Sequence, residues 1–166
     1  MKIISGGQTG VDRAALDVAI AHRLPWGGWC PKGGWAEDAT EPPGILGRYP
    51  HLKETPLSHP LQRTEWNVRD SDAALIVTDR EGLVPSIGTR RAKEWALQHG
   101  KPLLIVDTSD ATAPARAAAW VQTQTKRFGS DLTLSIGGPR ESEAPGIYER
   151  TKVLIAAMLN RLGDKV

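Results

Sequence analysis

The sequence predicts an α/β protein, a Rossmann-like three-layer sandwich with a mainly parallel sheet. Three observations carry that expectation. The apolar runs Ala73-Ala74-Leu75-Ile76-Val77 and Leu103-Leu104-Ile105-Val106 suit strands buried on both faces of a parallel sheet. Amphipathic stretches of helical spacing alternate with such runs, and right-handed crossovers then cover the sheet with helices. Glycine-rich turns follow several strands, at the carboxyl edge where sheets of this kind bind ligands.

The chain opens with a short strand, Lys2-Ile3-Ile4-Ser5, followed at once by Gly6-Gly7-Gln8-Thr9-Gly10. Val11, Ala14, Ala15, Val18 and Ala19 then recur at i, i+3, i+4, i+7 and i+8, the stripe of a core-facing helix. Thr9 and Asp12 stand in the spacing of a capping box, which sets the helix start near Gly10. Residues 24–60 are rich in Pro and Gly and show no sustained period. They read as a long loop of the functional or lid-like kind, with a short strand around Gly27-Gly28-Trp29-Cys30.

A helix is expected from Ser58-His59-Pro60 to about Asp70, with Ser58 as its cap and Pro60 in the first turn. Residues 82–88 form a loop, and a further helix runs from Gly88 to His99 with Gly100 as its stop. Pro114 to Phe128 read as helix. Leu132 to Ile136 alternate apolar and polar, as an outer strand would, and a last helix covers Gly146 to Leu162.

A chain of 166 residues suits one domain, here residues 1–166, and a domain of that size needs no disulfide or metal to fold. The single cysteine, Cys30, fits a reducing compartment, and a cytoplasmic location is expected. No apolar run reaches the length of a membrane span. A net charge of +2 lacks the basic excess of a nucleic-acid-binding surface. His22, His51, His59 and His99 show no metal-ligand spacing, so no metal site is expected.

The turn Gly6-Gly7-Gln8-Thr9-Gly10 is the strongest chemical signal. Glycines let backbone approach a ligand, and the free N–H groups of a helix start attract an anion such as phosphate. The turn matches neither the dinucleotide G-x-G-x-x-G pattern nor a Walker loop. Gly88-Thr89 opens a second helix beside Arg90 and Arg91, and Gly137-Gly138-Pro139-Arg140-Glu141-Ser142 makes a third turn. Three such turns at one sheet edge point to a phosphate-bearing small molecule rather than to connections alone. Lys32 beside Gly33 is placed to reach a phosphate, and Glu37 and Asp38 to accept ligand hydroxyl or N–H groups. Six tryptophans are unusual beside one Phe and two Tyr. Trp26, Trp29 and Trp35 either shield the core beneath the long loop or include one that stacks on a planar ligand.

Several of these stretches also resemble a known family. Gly6 to Asp17, Gly28-Trp29-Cys30-Pro31-Lys32-Gly33, Ala36-Glu37-Asp38, Arg63-Thr64 with Asn67-Val68, Asp70-Ser71-Asp72-Ala73, Gly88-Thr89, and Gly138 to Ser142 with Pro145 to Tyr148 are similar to the molybdenum cofactor carrier family. That family resembles one branch of a Rossmann-like group that includes the "lonely guy" phosphoribohydrolases. The resemblance implies a homo-oligomer, dimer or tetramer, binding the molybdenum cofactor or a nucleotide. Arg63, nine residues before Asp72, maps onto an arginine of those enzymes, with Asn67 on the same helix face. Their essential glutamate after the Gly-Thr pair is replaced by Ala92, so no catalytic residue is assigned. A nucleotide-processing enzyme that uses Glu65 or Glu94 instead is the alternative. The binding set is therefore Gly6, Gly7, Gln8, Thr9, Gly10, Asp12, Arg13, Lys32, Gly33, Arg63, Asn67, Gly88, Thr89 and Arg90.

Overall fold

A computed structural model describes residues 1–80, 82 and 86–163. In chain order the elements are β1 (Lys2–Ile4), α1 (Val11–Ala21), β2 (Trp26–Cys30), a 3-10 turn (Gly44–Gly47), β3 (Leu52–Glu54) and α2 (Pro60–Arg69). There follow β4 (Ala73–Thr78), α3 (Ile87–Gln98), β5 (Leu103–Asp107), α4 (Ala113–Phe128), β6 (Thr133–Gly137) and α5 (Ile147–Gly163). The expected loop of residues 82–88 lies in part outside the described residues. Its end is helical, because α3 already begins at Ile87.

The six strands form one sheet in the order β3-β2-β1-β6-β4-β5, with every pair parallel. Helices α1, α4 and α5 pack on one face and α2 with α3 on the other, giving three layers. The apolar run of β4 is buried at all six positions, as burial between two helix layers requires. Leu75 and Ile136 are fully enclosed, and truncating either to Ala would cost about 2–5 kcal/mol.

The chain walks outward from β1 to β3, crosses to β4 and β5, and returns to lay β6 between β1 and β4. The loops leaving β1, β6 and β4 therefore diverge around one crevice, the topological switch point where open α/β sheets hold ligands.

Four local expectations are corrected. Leu132 to Ile136 is no outer strand: β6 sits centrally, paired with β1 and β4, so that Ser135 is buried and Thr133 half-buried despite the polar alternation. The Thr133 N–H bonds the Asp72 carboxylate at 2.8 Å, and Ser135 is buried beside the crevice. The capping box does not form. Gly10 is the N-cap of α1, without a side-chain bond, because Thr9 and Asp12 have other partners. Helix α2 is capped by His59, whose ring accepts the Leu61 N–H, and not by Ser58. Finally, the long loop contains β3, a three-residue edge strand too short to show a period.

Candidate functional site

The crevice at the ends of β1, β6 and β4 is lined by Ser5, Gly6, Gln8 and Asp12 from the first turn and its helix, and by Arg63, Thr64 and Asn67 from α2. Ser86, Gly88, Thr89 and Ala92 border it from α3, and Ser135, Gly137, Gly138, Arg140 and Glu143 from β6 and the third turn. The three glycine segments thus converge on one cavity. The second is not a turn in the described residues, since Gly88 lies inside α3.

An ion pair forms the floor. Arg63 Nη1 donates to Asp12 Oδ2 at 2.8 Å, with side chains 13% and 5% exposed. Asp12 also accepts the backbone N–H groups of Gln8 and Gly138. Burial lifts its carboxyl above the usual range, while Arg63 and those two N–H groups pull it back. Donors from the first and third turns are thus directed at the protein's own carboxylate. The N–H of Val11, at the start of α1, bonds the Pro139 carbonyl at 3.2 Å. Part of the anion-binding capacity read into Gly6–Gly10 is therefore used internally.

Glycine is required here for two different reasons. A Cβ on Gly6 would stand 2.8 Å from Asp12 Oδ2 and inside the contact radius of the Arg63 guanidinium crossing above it. Gly10 has φ 76°, a left-handed conformation that side chains disfavour, and backbone of the third turn packs against it.

Two further donor groups border the cavity. Arg63 Nε is buried and has no hydrogen-bond partner. At the start of α3, Ser86 Oγ accepts the Thr89 N–H at 3.2 Å and the Thr89 hydroxyl at 2.8 Å. The N–H groups of Ile87 and Gly88 have no acceptor within the helix, and the helix dipole adds to their pull. The enclosed part of the cavity is about 50 Å³, room for a few waters or one phosphate-sized group but no ring.

Of the other predicted residues, Gln8 and Asn67 line the cavity but bond protein backbone, and the rest fall elsewhere. Gly7 packs toward Ile45 and Leu52, away from the cavity. Gln8 Oε1 accepts the N–H groups of Thr9 and Glu37, both at 3.0 Å, and so ties the long loop to the turn. Thr9, Gly10 and Arg13 border a separate hollow near Tyr148. Arg13 clamps Asp38 with two nitrogens and reaches the Gly7 carbonyl at 3.2 Å. Asn67 bridges α2 to β2, bonding Trp29 N–H and carbonyl at 2.9 Å each. Lys32 and Gly33 line a second hollow of about 490 Å³ with Trp35, Thr40, Pro42, Ser58 and Pro60. Arg90 is exposed on α3.

Glu37 pins the long loop to the third turn. Its carboxylate accepts from the Thr9 hydroxyl and from the N–H and hydroxyl of Ser142. Burial opposes its ionisation, but these bonds and Arg140 hold its carboxyl below the usual range. Trp26 and Trp29 are packed on protein: Trp26 stacks on His51 at 4.6 Å, and Trp29 meets Trp66 edge-on at 4.7 Å. Glu65 and Glu94, the alternative carboxylates, do not border the cavity. Glu65 lies 3.8 Å from His99, and Glu94 pairs with Arg91 at 2.8 Å. Sequence reasoning missed Ser86, Ser135 and Glu143. Only Ser86 carried a signal, as a cap three residues before Thr89.

A family model described as the circularly permutated YpsA SLOG family matches residues 3–159. The chain belongs to that family. Among solved structures, this family member is similar to one described as "Putative molybdenum carrier protein" from Syntrophus aciditrophicus SB, with 40% identity and a TM-score of 0.81. The match covers 95% of this chain and 94% of that one. Among curated proteins, none matches. No described helix of this YpsA-type chain is long and apolar enough to cross a membrane. Among the described residues, no group of three or more His, Cys, Asp or Glu is placed to hold a metal ion.

Proposed function

We propose that this chain is a carrier-type binding protein for a phosphorylated heterocyclic small molecule. One observation carries the reading. Arg63, half-buried and with an enclosed, unpartnered Nε, stands beside the start of α3, at the carboxyl ends of three parallel strands. The phosphate would sit between Arg63 and the Gly88–Thr89 start of α3, rather than on the first turn, whose Gln8 N–H already serves Asp12. The ring would lie outside the enclosed cavity, beneath the loop that carries Lys32, Gly33 and Trp35.

The neighbour's description supports a carrier role and suggests a molybdenum-bearing cargo. The molybdenum cofactor, a pterin with a terminal phosphate, meets the same chemical description as a nucleotide at this site. A cytoplasmic location and a homo-oligomer belong to the same reading. Helix α3 exposes Ile87 and Leu97, 60% and 63% accessible, which suits a covered surface. A sedimentation mass near 18.0 kDa at all concentrations would remove the oligomer.

The test is mass spectrometry of small molecules that co-purify with the native protein, set beside the Arg63→Ala variant. A phosphate ester bound by the wild type and lost from the variant is the expected result. Equal retention by both proteins would reject the site.

A further inference from the structure

We propose that Trp35 and Arg140 form the two walls of a slot that takes a planar heterocyclic ring. The slot rests on the phosphate reading above and gives the ring its place. The enclosed cavity has room for a phosphate alone, so a ring attached to it must emerge where the lining continues. Arg140 lines that cavity and Trp35 lines the 490 Å³ hollow, and the Arg140 guanidinium carbon lies 6.0 Å from the Trp35 ring centroid. Pro60, on the hollow, is three residues before Arg63 in α2, so the two spaces also adjoin along one helical turn.

The contact is a loose one. The Arg140 guanidinium carbon lies 6.0 Å from the Trp35 ring centroid, the outer limit of a cation–π contact. A flat ring between two flat groups needs about 7 Å, twice an ordinary contact distance, so it enters as the guanidinium swings outward. Only long contacts oppose that movement. The guanidinium forms no hydrogen bond with the described residues, and its two ion pairs, Nε to Glu143 Oε1 at 3.6 Å and Nη1 to Glu37 Oε2 at 4.0 Å, lie beyond good hydrogen-bond range. Its backbone is held, since the Arg140 N–H bonds Glu143 at 3.1 Å. On the other side, the loop of Trp35 is pinned through Glu37 and Asp38. A guanidinium above and an indole below favour an electron-rich aromatic heterocycle such as a purine or a pterin.

The experiment titrates wild type, Trp35→Leu, Trp35→Phe and Arg140→Lys with three probes. They are ribose 5-phosphate (phosphate without a planar base), AMP (both) and 6-hydroxymethylpterin (planar ring without phosphate). Circular dichroism checks that each variant is folded, and Trp35→Phe keeps an aromatic wall should the Leu variant unfold. Trp35→Leu should weaken AMP and pterin binding roughly three- to tenfold while ribose 5-phosphate stays within about twofold. Arg140→Lys keeps the charge but loses the plane, and should show the same pattern. Trp35→Phe should retain most of the ring affinity. Undiminished AMP and pterin binding by folded Trp35→Leu would overturn the slot, as would a wild type that binds none of the probes. If the wild type binds the pterin but not ribose 5-phosphate, and Trp35→Leu loses the pterin, the slot stands and the phosphate reading falls.

Discussion

Arg63 reaches over Gly6 to donate to Asp12 at 2.8 Å, so a residue of α2 and one of α1 meet across a position that has no side chain. That contact joins the two helix layers around the end of β1. It also fixes one nitrogen of the guanidinium while Nε remains without a partner.

Breaking the pair from either side should have unequal effects. Asp12→Ala leaves a largely buried cation and two backbone N–H groups unmatched, and should destabilise folding by about 3 kcal/mol or more. Arg63→Ala leaves Asp12 with its two N–H donors and free to take up a proton, so the folding loss should be smaller. That variant should instead lose about 1–3 kcal/mol of affinity for a phosphate ester. Urea unfolding and calorimetric titration separate the two effects; a greater folding loss in Arg63→Ala would refute the assignment.

Gly6→Ala should act on binding through Arg63. The added methyl group displaces the guanidinium, so phosphate-ester affinity should fall toward that of Arg63→Ala. A Gly6→Ala protein that binds AMP as the wild type does would show that the guanidinium crossing is dispensable.

The long loop should loosen in acid. The Arg13 clamp holds the Asp38 carboxyl below its usual range, and Glu37 is depressed by its hydrogen bonds despite burial. Groups with folded values below their unfolded ones bind fewer protons when folded. Their contribution is present above the unfolded value of about 4 and is lost as pH falls through the folded values. Asp12, with its raised carboxyl, acts in the opposite sense. Hydrogen-exchange protection of residues 35–39, taken relative to the intrinsic rate at each pH, should therefore hold near neutrality and fall below about pH 4. Protection that does not change across that range would contradict the anchoring role.

Cys30 should be silent toward thiol reagents in the folded protein. It is fully enclosed, and burial, aided by Glu54, pushes its thiol up to about 11. Reaction with a disulfide reagent at pH 8 should proceed only at the rate of unfolding; labelling as fast as a free thiol would disprove this.

Nucleoside 5′-monophosphates should bind without releasing free base. Ala92 borders the cavity where the resembled enzymes carry a glutamate, and one missing charge at such a centre costs about a hundredfold or more in rate. Of the cavity's own carboxylates, Asp12 is held by Arg63 and Glu143 by the Arg140 N–H. Steady release of adenine from AMP by the wild type would replace the carrier reading with an enzymatic one. Release by Ala92→Glu alone would mark a site that grips phosphate and lacks only the carboxylate.

The sequence by itself determined what is periodic and local. The helices α1, α3, α4 and α5, the strands β4 and β5, and the glycine segments were legible because their residues are spaced for one face or punctuate a turn, although β5, expected to be buried on both faces, is an edge strand that is half-buried at four of its five positions. Arg63 and Gly88–Thr89, singled out in the sequence partly through resemblance, do line one cavity. Tertiary structure alone decided which donors remain for a ligand. Asp12 looked like a cap and is the partner of Arg63, 51 residues away. Glu37 looked like a ligand acceptor and binds Ser142, 105 residues away. The alternation of β6 looked like an edge, yet the strand lies between β1 and β4, with Ser135 buried beside the crevice. A one-dimensional pattern registers how polar a position is, but not which distant group will satisfy it. Hydrogen bonds across such separations exist only once the sheet order has brought the strand ends together.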